Sequence, residues 1–173
     1  MKLGEEILKA RSVYQYYALH KPRGIESTFN KTIKDNLSTV FPFNDEFIVA
    51  GRLDKASEGL LLISNDGKWV HEITRPEFKK EKEYIVEVDK DITEEFIERM
   101  KNGVDIGICI TQPCYAEKIS SKTFRIILTE GKNKQIRRMC KTLRFTVQSL
   151  KRVRIDKFYL NDIEPLKYIP INI

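Results

Sequence analysis

Histidine and cysteine are scarce in this chain of 173 residues, with only His20 and His71 and with Cys109, Cys114 and Cys140. The cysteine count is odd and no CxxC pair occurs, so neither a disulfide framework nor a zinc site of the usual spacing is supported. Reduced, partly buried thiols are expected instead. Long apolar runs are missing too: no stretch approaches the roughly 18 residues that a membrane-spanning helix requires. The N-terminal MKLGEEILKARS is too charged for a secretory signal. Phosphate-loop chemistry is also excluded, because EGKNKQ (130–135) lacks the first glycine and the Ser/Thr of that motif. No G-x-G-x-x-G follows a strand, and neither a paired-histidine metal motif nor a G-x-S-x-G elbow occurs. The expectation is a soluble, cytoplasmic protein without metal, cofactor or membrane association.

What is present suits a globular chain, since 41% hydrophobic and 32% charged residues leave enough apolar surface to build a core. The length fits one domain, or two intimate halves sharing a core. A tail over 1–12 and a folded domain over 13–173 are expected, and a monomer. Net charge is +6 but unevenly spread. Residues 131–157 hold ten Lys or Arg against one acid, Asp156, a net +9, which leaves the remainder at −3. The block covers a predicted helix and the strand after it, so a single basic patch facing a polyanion, nucleic acid foremost, is expected.

Strands are predicted over 13–19, in EFIVAG (46–51), and over 59–64, 82–89, 106–110, 123–130 and 147–155. The unbroken apolar run GLLLIS (59–64) implies cover on both faces. Within 82–89, Tyr84, Val86 and Val88 share one face and Glu83, Ile85 and Glu87 the other. Helices are predicted over 30–42, from Ile33, Leu37 and Val40, and just before Pro76. Two more follow, one through Ile92, Phe96 and Met100, the other over 133–143. Mixed order and short connections indicate α+β with a largely antiparallel sheet.

In the last helix Ile136, Met139, Cys140 and Leu143 form the core stripe. At about 100° per residue, Lys134, Arg138 and Lys141 point directly away from it, and Arg137 falls at its border. A border arginine can turn inward to a carboxylate. A helix face that is merely solvated by its cations fits the same pattern. One carboxylate stands out, in GRLDKASEGLLLISNDG (51–67), where Asp54 sits on a hinge just ahead of the apolar strand. A turn residue would account for it locally, and Tyr84 would pass for a core tyrosine.

GRLDKASEGLLLISNDG, KEYIVEV and EGKNKQIRRMC, together with HKPRG (20–24) and LKRVRI (150–155), stand in one order and spacing. The whole resembles the RNA pseudouridine synthases of the RsuA type, in the branch that modifies large-subunit ribosomal RNA and, in one member, a tRNA anticodon. The resemblance runs over about residues 13–160 and implies the pseudouridine synthase catalytic fold, with no cofactor and no metal. It implies that Asp54 is the catalytic aspartate and that Arg52 enters the stack where the target base has left. Tyr84 matches the tyrosine that packs on the flipped uracil, and Arg137 the arginine paired with the aspartate. RNA contacts are expected from Arg52, Lys21, Arg23, Lys134, Arg138, Lys141 and Arg152, although the HKPRG motif that holds Lys21 has more of a structural role in the family. The substrate implied is a stem-loop of rRNA or tRNA. An ionised carboxylate can attack the ribose or remove a proton from it, and the sequence allows both routes.

There are departures from the family pattern. Members usually carry a small N-terminal RNA-binding domain of the S4 type, and a dozen residues ahead of the first strand are too few to fold alone. Ser57 stands where many members have threonine, and His20 where asparagine is usual. A non-catalytic basic RNA-binding module on the same fold is the alternative reading. A DNA-binding regulator lacks its helix-turn-helix pattern.

Overall fold

A computed structural model describes residues 14–173 of the chain, and the expected tail over 1–12 lies outside them. Nine strands form one mixed sheet. In chain order they are β1 (Tyr16–Lys21), β2 (Ile48–Ala50), β3 (Glu58–Ser64), β4 (Lys82–Val88), β5 (Tyr115–Lys118), β6 (Thr123–Leu128), β7 (Val147–Ile155), β8 (Phe158–Tyr159) and β9 (Tyr168–Pro170). The spatial order is β5-β6-β4-β7-β3-β1-β9, with β2 beside β3 and β8 beside β7. Three helices flank the sheet: α1 (Gly67–Thr74), α2 (Glu94–Asn102) and α3 (Gln135–Thr142). The architecture is α+β, and β3 with β7 is the one parallel pairing among the described strands.

That parallel pairing is a seam between two half-sheets. Only Glu58↔Lys151 and Gly59↔Arg152 are in register across it, whereas β1 runs antiparallel along six residues of β3. The strands come so close that a Cβ on Gly59 would lie 2.3 Å from the Arg152 carbonyl oxygen. Its φ of +114° also disfavours any other residue.

Each half packs mainly on its own core, and Ile155 and Phe158 of β7 and β8 join the core of the β3 half. Alternation along β3 sends Leu60 and Leu62 towards Trp69, Val70 and Ile73 of α1, and Leu61 and Ile63 towards Phe29, Leu37 and Phe41 in the 25–47 loop. Both faces of GLLLIS are therefore covered, as its unbroken apolar run implies. In the other half Val86, Val88, Phe124 and Ile126 pack on Phe96 and Met100 of α2 and on Ile136, Met139 and Cys140 of α3. Side-chain caps set two of these helices: Asp66 accepts from the Trp69 amide, and Thr93 from that of Phe96.

The β4–β7 ladder contains a bulge at Glu83/Tyr84, where Glu83 pairs with Arg154 and Tyr84 with Arg152, so Val153 is the extra residue. Arg152 consequently shares a face with Tyr84, and Arg154 shares the other with Glu83.

Two segments depart from expectation. The helix predicted over 30–42 is a loop with one 3-10 turn at Leu37–Thr39. Asn30 accepts from Thr32, Asn36 caps Ser38, and Asp35 adopts φ 55°, so local side-chain bonds replace helical ones. Leu37 and Phe41 still reach the core, but Ile33 is exposed. The predicted strand over 106–110 reduces to a single bridge, Asp105↔Ile110, with Ile108 and Ile110 exposed. Strands β5, β8 and β9 had no counterpart in the sequence pattern.

Candidate active site

A cleft of about 890 Å³ opens over the seam, walled by the hinge after β2, by β4 and by the loop that leads into α3. The hinge is held from below. The Ser27 hydroxyl donates to the Leu53 carbonyl (2.7 Å) and accepts from its amide (3.0 Å), which fixes Leu53 in the core. A turn closed by the Ser57 amide on the Asp54 carbonyl (3.0 Å) then presents the Asp54 side chain to the cleft.

Lys21 and Arg152 brace this hinge, and their expected roles in RNA contact are corrected by their burial. Lys21 is fully buried, its ammonium donating to the carbonyls of Pro22 (2.8 Å), Ile25 (2.6 Å) and, at 3.4 Å, Lys55. Burial pushes that ammonium down to about 8, partly opposed by Glu26, Asp54 and Glu58. Arg152, only 1% exposed, reaches across the seam and donates to the carbonyls of Leu60 (2.9 Å) and Gly51 (2.7 Å). Burial lowers its pKa, and the neighbouring Tyr84 hydroxyl counters that. Both charges serve backbone carbonyls inside the protein, not phosphates outside it.

The basic block is therefore not one patch. Arg154 is taken up by Glu81 (2.9 Å) and Glu83 (3.2 Å). Lys132, Lys134, Lys141, Arg144 and Lys157 carry the exposed charge. Arg52 and Lys134 are exposed on the cleft wall, whereas Arg23 and Lys141 are exposed away from it. Arg138 is half-buried outside the lining, with a long contact to Asn133 (3.4 Å).

Helix α3 enters the cleft through a built loop. Gln135, buried, accepts from the Lys132 amide (3.0 Å) and donates to Glu130 (2.8 Å), which in turn accepts from the Gln112 amide. Arg137 thereby faces the hinge, as its border position on the helix allowed. Its Nη2 donates to the Ser57 hydroxyl at 3.0 Å, and its Nε stands 3.9 Å from Asp54 Oδ2. That Nε is buried with no hydrogen-bond partner, so the pair is ionic contact without a hydrogen bond. Their side chains are 24% and 33% exposed, open enough for a substrate to reach both.

Tyr84 stands across the cleft, half-buried where the cores of the two half-sheets meet. The structure thus brings Asp54, Arg137, Tyr84 and Arg52 together from both sides of the seam. Two lining residues had no expected role. Ser57 links hinge to helix, and its only sequence signal was a hydroxyl retained where threonine is usual. Lys82 also lines the cleft, and extending the alternation of β4 back two residues from Tyr84 would have found it. Among the described residues no three His, Cys, Asp or Glu side chains converge as a metal site, and no helix is long and apolar enough to cross a membrane.

The fold itself defines a class. It superposes on a crystal structure of a pseudouridylate synthase with a TM-score of 0.86 and 28% identity, over 92% of this chain and 70% of that one. A structure of an H/ACA RNP bound to a substrate RNA containing 2′-deoxyuridine shares the fold more distantly, with a TM-score of 0.59, 19% identity, and cover of 86% of this chain and 49% of that one. The chain belongs to the RNA pseudouridylate synthase family, whose model matches residues 15–142. It is 43% identical over 146 residues to the dual-specificity RNA pseudouridine synthase RluF of Escherichia coli K12, covering 84% of this chain and 50% of that protein. An uncharacterized RNA pseudouridine synthase of Aquifex aeolicus is 38% identical over 95% of this chain and 73% of its own length. The chain spans about half the length of the RluF relatives it matches.

Proposed function

We propose that this chain isomerises a uridine in structured RNA to pseudouridine, residues 13–173 forming the catalytic unit of a cytoplasmic enzyme. The observation that carries the reading is the meeting of Asp54, Arg137 and Tyr84 in one cleft, drawn from three separate elements. The reaction breaks the N1–C1′ glycosidic bond, turns the base and rejoins it through C5. It is an isomerisation without net redox change or an added group, so side chains can supply all of its chemistry. Asp54 acts on the ribose, and Arg137 orients its carboxylate. Tyr84 offers a ring to the extruded uracil, with stacking of about 1–3 kcal/mol against a flipping cost of a few kcal/mol. Arg52, exposed at the rim, fills the gap left in the RNA stack. Lys134 lends positive charge at the cleft wall, and Arg138, Lys141 and Arg23 lend it farther out. A stem-loop of rRNA or tRNA is the substrate class, and the enzyme works as a monomer.

The test is pseudouridine formation in a stem-loop carrying loop uridines, followed by chemical detection of the product. Asp54→Asn keeps the shape but not the anion. It is expected to turn over at less than about a hundredth of the native rate while keeping its fold and most RNA affinity. Native chain that binds such RNAs and leaves every uridine unchanged would overturn the synthase reading in favour of a non-catalytic RNA-binding module.

A further inference from the structure

Cations withdrawn from water around this cleft are held by partners. Lys21 has three carbonyl oxygens, Arg152 has those of Gly51 and Leu60, and Arg137 has the Ser57 hydroxyl and Asp54. Lys82 differs. It is half-buried in the cleft wall, and no carboxylate or hydrogen-bond acceptor among the described residues is paired with its ammonium. Its cross-strand neighbours are apolar on both sides, Leu128 on β6 and Ile155 on β7. The cleft also contains Glu26, Asp54 and Glu130, yet none of them pairs with it. Burial pushes the ammonium down from the ordinary lysine value, and the charge of Arg152 pushes the same way. A cation so placed is costly until an anion joins it.

The register of β4 says where such an anion would lie. Lys82 precedes Tyr84 by two residues on the same face of the strand, so its stem starts roughly 7 Å from that of the tyrosine. A nucleotide whose base rests on Tyr84 carries its two flanking phosphates close to the ring, within reach of an extended lysine. We propose that Lys82 binds a phosphate flanking the extruded uridine, so that one strand holds both the base and the backbone of the target nucleotide. The inference rests on the synthase reading above. A lysine suits this part because it meets a phosphate as a point charge, without the planar fork that bidentate recognition needs. The site is distinct from the exposed lysines of the 131–134 loop, which stand on another wall of the cleft, and from Lys141 of α3, which lies outside it.

The test crosses two changes. One is Lys82→Met, which keeps the apolar stem, with Lys82→Arg as the conservative variant. The other is a stem-loop in which the phosphate 5′ or 3′ of the target uridine is replaced by a neutral methylphosphonate. Lys82→Met should weaken binding of the native RNA about tenfold, the size of one charge-assisted hydrogen bond. The salt slope should fall by about one unit, turnover at saturating RNA should stay within a few-fold, and Lys82→Arg should keep most of the affinity. A methylphosphonate at one flank should cost the native protein a similar factor and cost Lys82→Met nothing further. Equal losses for both proteins at either flank, or a loss in turnover with affinity intact, would overturn the proposal. Absence of pseudouridine with native protein and native RNA would instead fault the synthase reading, and the affinity cycle would still decide whether Lys82 meets a phosphate.

Discussion

At the scale of single residues, the site depends on Ser57 more than its size suggests. Its amide closes the turn that presents Asp54, and its hydroxyl accepts the one hydrogen bond that the Arg137 side chain makes among the described residues. Removing that acceptor leaves a partly buried guanidinium less satisfied, at a cost of about 1–3 kcal/mol, and frees it to swing from Asp54. Ser57→Ala should therefore lower turnover about tenfold and leave RNA affinity nearly unchanged, and Ser57→Thr should restore the rate. A loss of affinity with turnover intact, read from titration and single-turnover kinetics, would show that Arg137 is not positioned this way. Residues of this kind are only half legible in a sequence. The border position of Arg137 and the hinge position of Asp54 followed from spacing and resemblance. The fate of Lys21 and Arg152 did not, because nothing in a string of basic residues says which of them turns its charge onto backbone carbonyls.

At the scale of elements, α3 separates two tasks on one helix. Arg137 turns to the hinge, whereas Arg138 lies outside the cleft with a long contact to Asn133. Arg137→Met should lower turnover far more than binding. Arg138→Met should mainly weaken binding and flatten its salt dependence by about one unit of slope. Equal effects of the two substitutions on both quantities would contradict this division. Elements with a sustained period were readable: the stripe of α3, the alternation of β4 and the double-faced run of β3 all formed where expected. The 30–42 segment was not, since Asn30, Asp35 and Asn36 give its backbone local partners that compete with a helix. Strands β8 and β9 are two and three residues long, too short to carry a period.

At the scale of the whole molecule, the cleft exists because two half-sheets meet along two residue pairs. What faces Asp54 from β4 or α3 is tied to the hinge through that contact, the Arg152 side chain that spans it and the packing of Ile155 and Phe158 on Leu60, Leu62 and Trp69. Gly59→Ala should therefore lower the unfolding free energy by about 3 kcal/mol or more, from backbone strain and collision with Arg152. A change below about 1 kcal/mol in urea titration would mean the seam is looser than the geometry indicates. The sequence allowed for two halves sharing a core, but a two-residue parallel contact leaves no pattern to read. The exposed charge, partly on the cleft wall and partly away from it and not gathered in one patch, suits a folded RNA. A stem-loop should be modified faster than a duplex with the same central uridine, since an unpaired base is cheaper to extrude. Affinity should also fall steeply with salt. Equal rates on both RNAs, or salt-independent binding, would count against this surface.

The bulge at Val153 makes the site a matter of parity. A strand offers two sides, and one surplus residue exchanges them for everything beyond it. With Val153 present, Arg152 faces Tyr84 and the seam while Arg154 meets Glu83 on the reverse side. Val153 is what keeps them apart: drawn into a regular ladder, positions 152 and 154 would lie on the same side, so either the brace across the seam or the pairing with Glu83 would be lost. Removal of Val153 would leave Arg152 and Arg154 adjacent and still on opposite sides, whereas one residue inserted between Glu83 and Tyr84 of β4 would give Val153 a partner and put both arginines on one side.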